Sequence, residues 1–140
     1  MSLVTMREIL PYAEEKKIAI PAFNIDTMEI TQAILETVEE EENCPAIIAV
    51  GQAAIKDGKL ESLAATVRTL AKDMKTPVVL HLDHGQSVEQ VVKALCAGFT
   101  SVMIDGSKLS FEDNIAVTQE VVRIANAAGA SVEAELGAIL

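Results

Sequence analysis

Val78-Val79-Leu80-His81-Leu82-Asp83-His84-Gly85 opens as an unbroken apolar run and closes on a carboxylate, an imidazole and a glycine. Such a run reads as a strand buried on both faces, the mark of a parallel sheet covered by helices. Its polar end delivers Asp83 and His84 together at a strand terminus, a pairing suited to metal and proton chemistry. Three other strand-like runs stop at a polar residue in the same way: Ala19 to Asn24, Ser101 to Asp105 and Ser131 to Glu135. If those ends gather on one rim, the chain is expected to be an enzyme.

Helical patterns fill the spaces between the runs. Thr5 to Lys17 carries Met6, Ile9, Leu10 and Ala13 at helical spacing, with Thr5 placed to cap and Glu8 at the capping-box position. Ala19 to Ile25 follows as the first strand, then a helix from Thr27 to Glu42 through Met28, Ile30, Ile34, Leu35 and Val38. Ala46 to Gly51 is the second strand. Lys59 to Met74 reads as an amphipathic helix with Leu60, Leu63, Ala64, Val67, Leu70 and Ala71 on one side. Val78 to His84 comes next, then a helix from Ser87 to Ala97 with Val88, Val91, Val92 and Leu95 inward, stopped at Gly98. Ser101 to Ser107, Phe111 to Ala128 with its stop at Gly129, and Ala130 to Gly137 complete the alternation. The class is α/β.

Two architectures fit that alternation. A five-stranded open sheet of the flavodoxin type is the natural prior for 140 residues, because a closed eight-stranded barrel needs roughly 200 or more. A helix ahead of the first strand, and none after the last, weigh instead toward part of a barrel. No linker, low-complexity tract or charge block divides residues 1–140, so one domain is expected.

Composition narrows the partners. A formal charge of −10 argues against nucleic acid and against an anionic membrane surface, both of which reward clustered Lys and Arg. No window has the length or apolarity of a membrane span, and Arg7, Glu8 and Glu14 interrupt any leader-like stretch, so a cytoplasmic protein is expected. Cys44 and Cys96 have no metal or redox spacing and read as small, reduced apolar residues.

Alternate strand residues share a face, so His81 and Asp83 oppose Leu80 and Leu82, Met103 and Asp105 oppose Val102 and Ile104, and Glu133 and Glu135 oppose Val132, Ala134 and Leu136. Acidic residues on an inward face imply a solvated mouth at the C-terminal ends of the strands. Asp83 and His84 beside Gly85 favour function over a capped strand end. His81 reads as a hydrogen-bonded core histidine, since residues three apart on a strand face opposite ways and His81 with His84 make a poor chelate. Asp105, ahead of Gly106 and Ser107, suits a turn cap and a cation ligand equally. Glu133 and Glu135 supply a ligand or base, or form a solvated rim pair. Asn24 can donate its amide to a substrate oxygen or close the strand–helix turn. Gly106-Ser107-Lys108 lacks the spacing of a P-loop.

Taken together, Ala22-Phe23-Asn24, Leu82-Asp83-His84-Gly85, the stretch Gly98 to Ser107 containing Val102-Met103-Ile104-Asp105-Gly106, and Val132-Glu133-Ala134-Glu135-Leu136-Gly137 closely resemble the zinc-dependent class II ketose-bisphosphate aldolases. The likeness covers essentially the whole chain. It implies a (β/α)8 barrel, of which this chain supplies an opening helix, four strand–helix units and the fifth strand. It also implies aldol cleavage of a ketose phosphate to glycerone phosphate and an aldehyde. In the family the Asp of Leu-Asp-His-Gly exchanges a proton with the sugar hydroxyl at the bond being cleaved, which here is Asp83. The His after it, here His84, ligates the catalytic zinc. Asp105 and Glu135 fall where the family binds a second or displaced cation. Zinc acts there as a Lewis acid while a carboxylate handles the proton.

The family completes its zinc with two His from later strands, and its phosphate-gripping loops and mobile acidic loop also lie later. With His81 and His84 the only histidines of the sequence, these 140 residues alone are expected to be inactive. Gly51 stands where the family often has Ser. Family kin are commonly homodimers or homotetramers. Two other classes remain on the residues alone: a receiver-like module with Asp83 as phospho-acceptor, disfavoured by Asn24-Ile25-Asp26 and Glu135 at positions where such a site wants acids and a Lys, and a non-catalytic assembly partner.

Overall fold

The computed structural model describes residues 2–41 and 44–137. Helix α1 (Met6–Lys16) leads into β1 (Ala22–Asn24), α2 (Met28–Glu40), β2 (Ala46–Val50), a short α3 (Gln52–Lys56), α4 (Leu60–Leu70), β3 (Val78–Gly85), α5 (Val88–Ala97), β4 (Ser101–Asp105), α6 (Phe111–Ala128) and β5 (Ser131–Glu135). All five strands run parallel in one sheet, in the order β1-β2-β3-β4-β5. A flavodoxin-type sheet reverses direction partway, in the order 2-1-3-4-5. Here nothing reverses, so every connection steps the same way along the sheet, as in a TIM barrel.

Local chemistry explains the element ends. At α1 the Glu8 carboxylate accepts from the Thr5 backbone N–H at 2.8 Å and its hydroxyl at 2.9 Å, the reach-back half of a capping box. Thr27 and Ser87 accept from Ile30 N and Gln90 N at the starts of α2 and α5. Gly98 and Gly129 close α5 and α6 in the left-handed conformation. The helix expected to run to Met74 stops at Leu70 and tightens into a 3₁₀ turn, Ala71–Asp73, four residues ahead of Pro77. The first strand begins at Ala22 rather than Ala19, because Pro21 has no N–H to give the ladder. As an edge strand, β1 is exposed throughout and not buried on both faces. The expected end of α2 at Glu42 lies outside the described residues.

The two faces of the sheet differ. On the outer face Ile48, Val50, Leu80, Leu82, Val102 and Ile104 meet Leu35, Val38, Leu63, Val67, Val91, Val121 and Ala125 from α2, α4, α5 and α6. This is the main core. Not every apolar residue at helical spacing joins it: Leu10, Ile30 and Val92 are exposed, each beside a buried position of its helix, and Met28 and Leu70 are exposed at the first position of α2 and the last of α4. The inner face has its apolar cluster near its N-terminal end, where Ile47 and Val79 pack on Ile9, Val4, Met6 and Ile20. Helix α1 therefore plugs one end of the inner face, and the Arg7 N–H reaches the Ser131 hydroxyl of β5 at 3.3 Å. Above the plug the same face turns mostly polar, with Ala49 and Met103 its buried apolar positions.

Candidate functional site

Register builds the polar face in layers. His81 pairs with Ser101, Met103 with Glu133, and Asp105 with Glu135, so one further step toward the C-terminal ends exchanges neutral polar groups for carboxylates. His81 lies deepest, 4% exposed, with Nδ1 2.9 Å from the Ser101 hydroxyl and Nε2 3.4 Å from a Glu133 oxygen. Burial, resisted by the charge of Asp83, lowers its pKa to about 4. It is a neutral imidazole, and its contact with Glu133 is a polar contact rather than an ion pair. Glu133 is pushed above its ordinary value, first by partial burial and then by the charge of Asp83. Its side chain is nonetheless 54% exposed.

Strict alternation sends His84 to the face of Leu82, away from Asp83, Asp105 and Glu135. A bulge overturns that expectation. Leu82 pairs with Val102 but Gly85 pairs with Ile104, so three steps on β3 match two on β4. His84 takes φ of +52°, the left-handed region in which a non-glycine residue is uncommon. Gly85 is required for the close approach that follows, since a Cβ there would stand 2.4 Å from the Met103 carbonyl oxygen. The extra residue turns His84 back onto the inner rim.

There its Nδ1 stands 3.0 Å from an Asp105 oxygen and 3.4 Å from a Glu135 oxygen. The hydrogen bond to Asp105 leads the causes that raise the His84 pKa, with burial opposing and Asp83, Asp105 and Glu135 adding their charge. Asp105 is pulled below its ordinary value chiefly by Ser107, whose hydroxyl and N–H donate to Oδ1 at 2.6 and 3.0 Å. Its two oxygens thus divide the roles left open by sequence: Oδ1 caps the turn and Oδ2 faces the imidazole. Asp83 completes the rim. Its Oδ2 accepts from the Asn24 amide at 3.0 Å, and its Oδ1 lies 3.9 Å from His84 Nε2.

Among the described residues, one donor atom each from His84, Asp105 and Glu135 lie within 4.8 Å of one another. One imidazole and two carboxylates are a donor set that zinc accepts, and a tetrahedral shell of ~2.1 Å bonds spaces its donors about 3.4 Å apart. The separations of 3.0 and 3.4 Å around Nδ1 suit that chemistry. Without a cation, the hydrogen bond between Nδ1 and Asp105 Oδ2 ties the imidazole to the rim.

The residues that sequence reasoning passed over stand behind the rim. Gln52 of α3 donates to the His84 carbonyl at 2.8 Å and to Gln90 Oε1 at 3.1 Å, and that oxygen also accepts from the Gln86 N–H at 2.9 Å. The pair braces the bulge from outside. Asn114 donates to the Glu135 carbonyl at 2.7 Å. Its signal was a polar residue on the stripe of α6 that otherwise buries Val121 and Ala125.

Residues 4–140 match the family described as fructose-bisphosphate aldolase class-II. The chain is 47% identical to a probable fructose-bisphosphate aldolase of Bacillus subtilis over 99% of its own length and 50% of the relative's. It is 47% identical to a fructose-bisphosphate aldolase of Geobacillus stearothermophilus, over 99% of this chain and 49% of that one. The chain spans about half the length of these curated relatives. Among solved structures, the YdjI aldolase from Escherichia coli K12 superposes with a TM-score of 0.89 at 33% identity, covering 96% of this chain and 52% of that chain. The fructose-bisphosphate aldolase from Campylobacter jejuni gives 0.83 at 28% identity, covering 97% and 47%.

Proposed function

Because the chain belongs to the class II fructose-bisphosphate aldolase family, we propose that its rim is the first part of a metal-dependent site for aldol cleavage and condensation of a ketose phosphate, yielding glycerone phosphate and an aldehyde. The observation that carries this reading is the convergence of His84, Asp105 and Glu135 within 4.8 Å, with Asp83 beside them. His84, Asp105 and Glu135 would hold a zinc ion, with room in the family for a second divalent cation. A zinc ion held there supplies Lewis acidity toward the ketone and its neighbouring hydroxyl.

The chain's own residues do the rest. Asn24 fixes one oxygen of Asp83 and leaves the other directed along the rim, where it takes the proton of the sugar hydroxyl at the bond being cleaved and returns it in the reverse direction. Ser107 keeps Asp105 ionised, so that a carboxylate rather than an acid faces the imidazole. Nδ1 of His84 must lose its proton to bind a cation, and cation uptake is therefore coupled to proton release.

His81 is bonded to Ser101, and no other histidine accompanies His84, so these 140 residues alone are proposed to bind a cation without turning over substrate. The complete enzyme is proposed to act on a phosphorylated sugar in the cytoplasm as a dimer or tetramer. Among the described residues no helix is long and apolar enough to cross a membrane. The receiver alternative, with Asp83 as phospho-acceptor, needs a doubly wound sheet, and the sequential strand order removes it.

The test is cleavage of fructose 1,6-bisphosphate, with and without zinc, by this chain and by a form extended to the length of its relatives. Zinc-dependent cleavage by the extended form alone is expected. In that form D83A should lower kcat by at least 100-fold, the lower bound for a lost general acid–base group, with zinc still bound. Cleavage that survives both chelation and D83A would refute the assignment.

A further inference from the structure

We infer that Asn114 is a positioning residue for the cation site, setting from behind the sheet the spacing of the two carboxylates that face His84; this rests on the cation reading given above. Asn114 is 5% exposed and lies on the stripe of α6 that packs against the sheet. An asparagine there costs stability unless its amide is fully satisfied. Both of its donors go to strand ends: Nδ2 bonds the Gly106 carbonyl at 3.1 Å and the Glu135 carbonyl at 2.7 Å. The amide oxygen accepts from the Thr118 hydroxyl at 3.2 Å, which holds the amide with its nitrogen toward the sheet.

The two carbonyls belong to the residue after Asp105 and to Glu135 itself. Asp105 and Glu135 are the last paired positions of β4 and β5, so beyond them no ladder fixes the separation of the two chains. One side-chain amide does so instead. Gly106 makes the room, because a Cβ at that position would lie 2.4 Å from the Asn114 amide oxygen. Asn114 reaches the site only through backbone, at Glu135 and at the residue that follows Asp105. It therefore acts on the geometry of the cluster and on no reacting atom. Partners of this kind are typically worth 10- to 100-fold in metal affinity.

The experiment is calorimetric titration of the 140-residue chain with Zn²⁺, alongside urea unfolding in chelator, for the unaltered chain, H84A, N114A, T118V and the double variant N114A/G106A. Saturable binding by the unaltered chain that H84A removes is expected. N114A should weaken it at least tenfold, and T118V by a smaller factor with the fold retained. In the double variant the new methyl fills space the amide vacated, so stability should recover while affinity does not. Zn²⁺ affinity equal to that of the unaltered chain in folded N114A, or restored together with stability in the double variant, would reduce Asn114 to packing and overturn the inference. Should N114A not fold, unchanged affinity in T118V overturns it. Absence of any binding removable by H84A would instead overturn the cation reading itself, and the inference with it.

Discussion

His84 carries its Cβ in a left-handed backbone conformation, a cost of roughly 1–2 kcal/mol for an L-residue that glycine avoids. In chelator, H84G should therefore be more stable than H84A by about 1 kcal/mol, read from urea midpoints. The reverse order would mean that the strain lies elsewhere. His81 sets a pH dependence. Its pKa falls from an ordinary value near 6.5 to about 4 on folding, so the stability it contributes is complete above pH ~6.5 and is lost as pH falls toward 4. The full span corresponds to at most about 3 kcal/mol. Ser101 and Glu133 face it directly, and Asp83 and His84 act on it by their charge. Glu133, raised on folding, works in the opposite sense, its contribution fading as pH climbs above its ordinary value. His84, also raised, contributes stability that is lost as pH climbs above its ordinary value. Metal-free stability should accordingly peak near pH 6 to 7, and H81Q should flatten only the acid limb. A symmetric loss of both limbs in H81Q would contradict this assignment.

At the scale of elements, β3 was legible as a strand but not as a bulged one. Its apolar run and polar end are in the letters, and so is the delivery of Asp83 and His84 together at that end. The inserted residue is not, because period-two reasoning assumes an unbroken ladder, and the break depends on Gly85 meeting the Met103 carbonyl of another strand. The same limit hid α3, a five-residue helix too short to show a period, from which Gln52 braces the His84 carbonyl. G85A should destabilise the fold by about 2–3 kcal/mol, because a methyl driven onto a backbone oxygen must prise β3 from β4. Urea unfolding and amide exchange in Ser101–Asp105 would read both effects. A variant as stable as the unaltered chain would mean that the bulge is not held by that contact.

For the whole molecule, helix-strand alternation gave the α/β class, while the choice between an open sheet and a barrel rested on strand order, which no local pattern encodes. The resemblance of the four motifs supplied it, and the sequential order agrees. The gathering of Asp83, His84, Asp105 and Glu135 on one rim was legible as residues; the brace behind it, Asn114 and Gln52, was not, since both speak through backbone carbonyls. Helix α1 also has a role at this scale, sealing the end of the inner face opposite the rim. Ile9 is 3% exposed against Ile47 and Val79, and I9A should cost about 2–4 kcal/mol in urea unfolding while leaving Zn²⁺ affinity within twofold.

The bulge makes chain length, alongside residue identity, a guarded quantity in this strand. Loss of one codon between Leu82 and Gly85 would straighten the ladder and leave its hydrogen bonds content, yet seat a single inward side chain where two now stand, so that either the carboxylate or the imidazole is forfeited. An in-frame deletion of a single triplet would yield a well-knit sheet with half of the pair missing from its lip.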